Sequence, residues 1–131
     1  MLSYLAGFFD GEGCVGIYRH MCKGKPYFEL NLKVTQKDRT ILNFFQMHYG
    51  GYVMYNKEQD VHIWTTDVPS AVQFLTDVSP YLIVKASQAK LALEFQAAKS
   101  ARHKGDRTKI VVALEEAQSI LMKQMKRVNG R

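Results

Sequence analysis

Cysteine is scarce in this chain: Cys14 and Cys22 are the only two, and they form no CxxC pair. Neither a disulfide framework nor a thiolate zinc site is expected, and the four histidines, His20, His48, His62 and His103, have no ligand spacing around them. No apolar run approaches the ~18 residues that a membrane span requires. The opening Met1-Leu2-Ser3-Tyr4 has neither a basic leader nor a cleavage pattern. These absences point to a soluble intracellular protein without membrane contact. Acidic residues are outnumbered, twelve Asp+Glu against eighteen Lys+Arg, giving a formal charge of +6. That balance suits a polyanion-binding surface, although a basic protein with no nucleic-acid role has the same composition. At 131 residues the chain accommodates one domain with a real core and no obvious second one.

What is present reads as alternating helical and strand periodicity. Leu2, Leu5, Ala6 and Phe9 share one side of a helix over residues 2–12, while Ser3, Gly7, Asp10 and Gly11 share the other, and Gly13 ends it. Cys14 to His20 is a strand and Met21 to Pro26 a hairpin loop. In the next strand Phe28, Leu30, Leu32 and Val34 alternate with Tyr27, Glu29, Asn31, Lys33 and Thr35. A helix over 38–49 stops at Gly50-Gly51. A second hairpin, 52–56 and 60–65, is expected to turn Val53, Tyr55, Val61 and Ile63 inward and Met54, Asn56, His62 and Trp64 outward. Asp67 caps a helix reaching Ser79, and Ser79-Pro80 separates it from one over 85–99. A basic connector follows, with Arg102, His103, Lys104, Arg107 and Lys109. The last helix is expected to bury Ile110, Leu114, Ala117, Leu121 and Met125, and it ends in a basic tail. The fold class is therefore α+β, a four-stranded antiparallel sheet with helices on one face. Residues 1–100 form its core, and residues 101–131 belong to the same domain.

The first helix carries the chemistry. Gly7 and Gly11 project no side chain, so a second helix can approach to near backbone contact. The partner is either the same helix of a second copy, in a two-fold dimer, or another helix of the same chain. In the dimer Glu12 lies near its own copy at the axis, where two carboxylates repel unless a divalent cation binds beside them. Outside that arrangement Glu12 is an exposed helix-end acid. Asp10 is on a different side and is assigned to structure. The polar face of the 27–36 strand extends roughly 33 Å at ~3.3 Å per residue, about one turn of B-DNA. It offers Tyr27, Glu29, Asn31, Lys33 and Thr35, flanked by Tyr18 and His20. Asn31 suits adenine, Lys33 guanine and Glu29 cytosine. Outward Met54 and Trp64 imply a partner on that face, Asn56 and His62 accompany them, and Lys23 and Lys25 in the loop suit phosphates.

The segment Leu5-Ala6-Gly7-Phe8-Phe9-Asp10-Gly11-Glu12-Gly13 resembles the LAGLIDADG motif of homing endonucleases. The helix–hairpin–helix–hairpin–helix order over residues 2–100, together with Val34-Thr35-Gln36-Lys37, Tyr52-Val53, Pro80-Tyr81-Leu82, Lys85 and Gln88-Ala89, is similar to the single-motif homodimeric branch. The resemblance implies the saddle-shaped sheet of that family. It also implies a homodimeric, sequence-specific endonuclease that hydrolyses double-stranded DNA at a long pseudo-palindromic site. Magnesium or manganese would be its cofactor. Glu12 then falls on the acidic metal-ligand position and Gly11 on one that supplies a backbone carbonyl. Gln36 matches a residue that orients active-site water, and Lys85 a basic residue near the scissile phosphate. A relative with cleavage lost, an RNA maturase or a transcriptional regulator, would share the same motif. The branch often has an arginine where this chain has Thr40, leaving Lys37 or Arg39 to replace it.

Overall fold

Leu5, Ala6 and Phe9 are each exposed by 1% or less, and their burial is what makes the first eleven-residue segment a helix. The computed structural model describes residues 1–103 and 107–128. Lys104 of the connector and residues 129–131 of the basic tail lie outside the described residues. The elements run α1 (Leu2–Glu12), β1 (Gly13–Cys22), β2 (Lys25–Gln36), α2 (Thr40–Tyr49), β3 (Tyr52–Asn56) and β4 (Val61–Thr65). There follow α3 (Val68–Val78), a 3-10 turn at Ser79–Tyr81, α4 (Ala86–Ala101) and α5 (Lys109–Val128). Asp67 caps α3 as its sequence position implies, accepting from the Ser70 amide at 2.9 Å.

The four strands form an antiparallel sheet in the order β1-β2-β4-β3. Val15, Ile17, Leu30, Leu32 and Val34 face the helices and are buried with Phe9, Phe45, Phe74 and Phe95 in one core. The expected α+β architecture is thus the observed one. The first hairpin is tighter than expected: the strands continue to Cys22 and Lys25, and only Lys23 and Gly24 turn, both at positive φ (51° and 77°). Two consecutive residues of that kind match the right-handed twist of the flanking strands, so no longer loop is needed.

β4 pairs with β2 only at Val34, Thr35 and Gln36, so residues 25–33 of β2 have β1 on one side and no strand on the other. Side chains cap that open edge. Arg107 donates to the Pro26 carbonyl (2.8 Å), Lys99 to that of Phe28 and Thr65 to that of Leu32 (2.9 Å).

Two expectations about facing are overturned. In β4 it is Trp64, with His62, that points to the helices. Trp64 is fully buried against Phe45 and Phe74 and donates to the Gly50 carbonyl at 2.9 Å. Register forces this, because residues paired across antiparallel strands share a face and Trp64 pairs with core-facing Val34 and Val53. Gly50 and Gly51 allow the close approach: both have positive φ, and a Cβ on Gly51 would overlap the Thr65 carbonyl. Ile63 and Thr65 therefore occupy the open face in place of His62 and Trp64.

The second correction concerns α5. Ile110, Leu114 and Leu121 are exposed, whereas Glu115, Ser119 and Met122 are buried. The polar groups choose this face because each is satisfied there. Glu115 takes Arg102 at 2.6 Å and Arg107 at 3.0 Å, and Ser119 donates to the Ile17 carbonyl of edge strand β1 at 2.6 Å.

Candidate active site and nucleic-acid interface

Glu12 is the last residue of α1 and is exposed, so its carboxylate sits at the negative end of the helix dipole. Such a placement is unfavourable without a nearby cation. Gln36, the last residue of β2, points its amide Nε2 to within 3.4 Å of Glu12 Oε2. Two of the residues proposed from sequence are thereby brought together across the helix–sheet junction. Gly11, also exposed, is adjacent in the last turn, where helix carbonyls lack intrahelical donors. Among the described residues no group of three or more His, Cys, Asp or Glu side chains could hold a metal. At this helix end the described residues offer the Glu12 carboxylate and neighbouring carbonyl oxygens. That hard-oxygen set fits a magnesium-like ion that keeps several waters, or one that shares a second carboxylate.

Asp10 has a separate occupation. Its carboxylate accepts from the backbone amides of Ile83 (3.1 Å), Val84 (3.0 Å) and Lys85 (2.8 Å), tying the end of α1 to the start of α4. Burial works to raise its pKa, but the amides and the Lys85 charge outweigh it and hold the carboxyl below its ordinary 3.8. Lys85 is fully buried and donates through Nζ to the Asp10 carbonyl at 2.7 Å. It lies beneath the helix end, one residue before the start of α4. Arg39, just before α2, donates to Asn43 of that helix at 3.1 Å, while Lys37 is exposed next to Gln36.

Gly7 and Gly11 are exposed, and a Cβ on either would meet nothing within 4 Å. Among the described residues nothing lies within 4 Å of where either Cβ would stand, so the two glycines are not explained by a close intrachain contact there.

The sheet's open face forms a trough of about 450 Å³ lined by Tyr18, His20, Glu29, Asn31, Lys33, Met54, Ile63 and Thr65. Thr35 pairs with Ile63 and joins them. His20 stacks on Tyr27 (centroids 5.1 Å apart, planes at 24°), and Asn31 donates to Thr65 Oγ1 at 3.4 Å. Lys23 and Lys25 stand exposed at the hairpin tip. Asn56 accepts from the Gln59 amide at 3.2 Å and so closes the β3–β4 turn. His62, on the helix side, meets the Lys37 carbonyl through Nδ1 at 3.0 Å and packs on Tyr55. Ile63 and Thr65 are the trough residues that sequence reasoning missed. The available signal was the single tryptophan: the largest side chain in the chain is a natural core anchor, and its burial fixes the facing of every β4 residue.

A family model described as LAGLIDADG endonuclease matches residues 5–101, which is most of the chain. The chain belongs to that family. The match begins at Leu5, the first residue of the motif, and extends to the end of α4. No curated protein matches. Among solved structures, the homing endonuclease I-CvuI, in complex with the I-CreI target and 2 mM Mg, is similar at 22% identity and TM-score 0.83. The similarity covers 95% of this chain and 80% of that one. An archaeal intron-encoded homing endonuclease complexed with DNA gives 17% identity and TM-score 0.82, covering 95% and 82% of the two chains. The homing endonuclease I-TnaI gives 18% and 0.78, covering 97% and 94%. At these identities the structural likeness fixes the LAGLIDADG fold. No helix of the described residues is long and apolar enough to cross a membrane.

Proposed function

We propose that this LAGLIDADG protein is a homodimeric, divalent-metal-dependent endonuclease that cuts both strands of a long, approximately palindromic double-stranded DNA site. The observation that carries the reading is Glu12 with Gln36 against it, at the end of a helix whose glycine face is bare. Two copies of α1 meeting through Gly7 and Gly11 bring two Glu12 carboxylates to one axis. Tyr4, one turn before Gly7, and Ile83 and Val84, whose amides bond Asp10 beside Gly11, are exposed and would extend the contact. The solved relatives include complexes with DNA and with Mg or Ca, which supports the same partner and cofactor class here.

In this reading Glu12 and the Gly11 carbonyl hold the metal, magnesium or manganese. A divalent ion there neutralises phosphate charge and acidifies water. Gln36 restrains the Glu12 carboxylate and orients water beside it. Lys85, below the helix end, offsets the negative charge that Glu12 and the scissile phosphate concentrate there, acting on the site from within the protein. Asp10 holds α1 and α4 as one body, so that Lys85 keeps its station. The trough reads base edges through Tyr27, Glu29, Asn31 and Thr35 of β2 with His20, Met54, Ile63 and Thr65, and Lys23 and Lys25 reach phosphates at the distal end. Each subunit reads half of the site and cuts one strand.

Selection of cleaved molecules from a randomised DNA library with magnesium tests this. The expected product is a family of two-fold-related sites with both strands cut. Binding without cutting in magnesium and in manganese would instead identify a DNA-binding relative that has lost cleavage.

A further inference from the structure

The mechanism above leaves one construction on the open face unused. Cys14, Gly16 and Tyr18 of edge strand β1 all face the trough. Tyr18 lies down along its strand, because a Cβ on Gly16 would overlap its ring, and its hydroxyl is 3.7 Å from Cys14 Sγ. Two ammonium groups converge on that ring from different elements. Lys33 of β2 is 5.7 Å from the centroid and Lys126 of α5 is 5.3 Å from it. Lys126 Nζ is also 3.3 Å from Cys14 Sγ, so it has come around the edge of β1 to the face that α5 does not itself cover.

The delivery is a matter of register. Ser119 fixes α5 to the Ile17 carbonyl, and Lys126 lies seven residues further along the helix. Two helical turns advance about 10.5 Å. The three residues from Ile17 back to Cys14 cover about 10 Å of strand, so the two spans agree and Lys126 arrives beside Cys14. Among the described residues neither Lys33 nor Lys126 forms an ion pair, and the cross-strand neighbour of Tyr18, Glu29, interacts with Lys99 instead. Two like charges on one ring are only partly stabilised by its face. A shared anion removes the repulsion. Cys14 is two positions after Glu12, so the pair stands at the catalytic end of the trough.

We propose that Lys33 and Lys126, seated on Tyr18, hold one backbone phosphate of the bound DNA next to the cut site, and that Gly16 serves to let Tyr18 lie flat beneath them. This rests on the endonuclease reading. It gives α5 a part in binding and moves Lys33 from a base edge to the backbone.

The test is the salt dependence of DNA binding for the full chain and for Lys126→Met, Lys33→Met, Lys126→Arg and Gly16→Ala. Each methionine variant is expected to reduce the slope of log K against log salt by about 1, and to weaken binding about fivefold at physiological salt, with base preferences unchanged. Lys126→Arg should restore the slope, and Gly16→Ala, by lifting Tyr18, should reproduce the loss. An unchanged slope in Lys126→Met or Lys33→Met overturns the proposal, as does a shift in preference at particular base pairs. Failure of the wild-type chain to bind DNA at all would strike the endonuclease reading instead.

Discussion

Gln36 donates its side-chain amide to the Glu12 carboxylate at 3.4 Å, across 24 positions of sequence. The contact joins the end of the motif helix to the end of the longest strand, and it gives the two residues separable roles. Glu12→Gln should abolish detectable cleavage while leaving affinity for the target nearly intact. Gln36→Ala, which only releases the carboxylate, should slow cleavage by about 10–100-fold, the range seen when a residue that orients a metal ligand is lost. Single-turnover cleavage and binding titrations in calcium distinguish them. Equal losses in both variants would mean that Gln36 is itself essential.

The burial of Trp64 makes a second pair of outcomes. Trp64→Ala should cost about 3–5 kcal/mol in chemical denaturation, as other large core truncations do. Ile63→Arg should leave stability nearly unchanged and alter base preference at one or two positions by ~1–3 kcal/mol. A variant at Trp64 that folds normally but changes sequence preference would restore the outward orientation that the strand pattern suggested.

The bare glycine face has its own consequence. Gly7→Leu inserts a branched side chain whose Cβ would have nothing of the described residues within 4 Å, so the monomer should keep its thermal stability within about 1 kcal/mol of helix propensity. Association should fail, and sedimentation velocity should show monomer for the variant and dimer for the wild type. A wild-type monomer at micromolar concentration in the presence of DNA would remove the two-fold site.

Asp10 predicts a pH dependence. Its folded pKa lies below the ordinary 3.8, so its contribution to stability is complete above that value and fades as pH falls through the folded pKa. Asp10→Asn should cost about 1–3 kcal/mol near neutrality, since an amide cannot accept from all of the backbone donors that the carboxylate serves. The gap between variant and wild type should begin to narrow only as pH falls past 3.8, and close below the lower folded pKa, where both side chains are neutral. Denaturant midpoints measured from pH 3 to pH 7 check both parts.

Most of the architecture was legible because period and punctuation agreed: Asp67, Gly13 and the Gly50-Gly51 pair end or begin elements where the chain composition says they should. The β4 facing was not legible, because Val61 and Ile63 on one side and His62 and Trp64 on the other both read as an inward face. Only pairing with Val34 and Val53 decides between them, and pairing is a long-range fact. The α5 face misled for a different reason. Its apolar residues form a regular stripe, yet burial went to Glu115 and Ser119, whose partners lie 8 to 102 positions away. Lys85 is a third kind of case, since the motif fixes its neighbourhood but not the depth of its ammonium.

The stretch of β2 that only β1 flanks has a mechanical meaning. A free edge invites strand addition by another chain, but here lysine, arginine and threonine side chains occupy the carbonyls that an incoming strand would need. The distal hairpin is accordingly protected from edge-to-edge aggregation while remaining a two-stranded ribbon. Such ribbons coil more strongly than the interior of a sheet. The hairpin end of β1 and β2 is thus the part of the sheet least constrained by neighbouring strands, and a right-handed coil there would suit a surface that follows a winding groove.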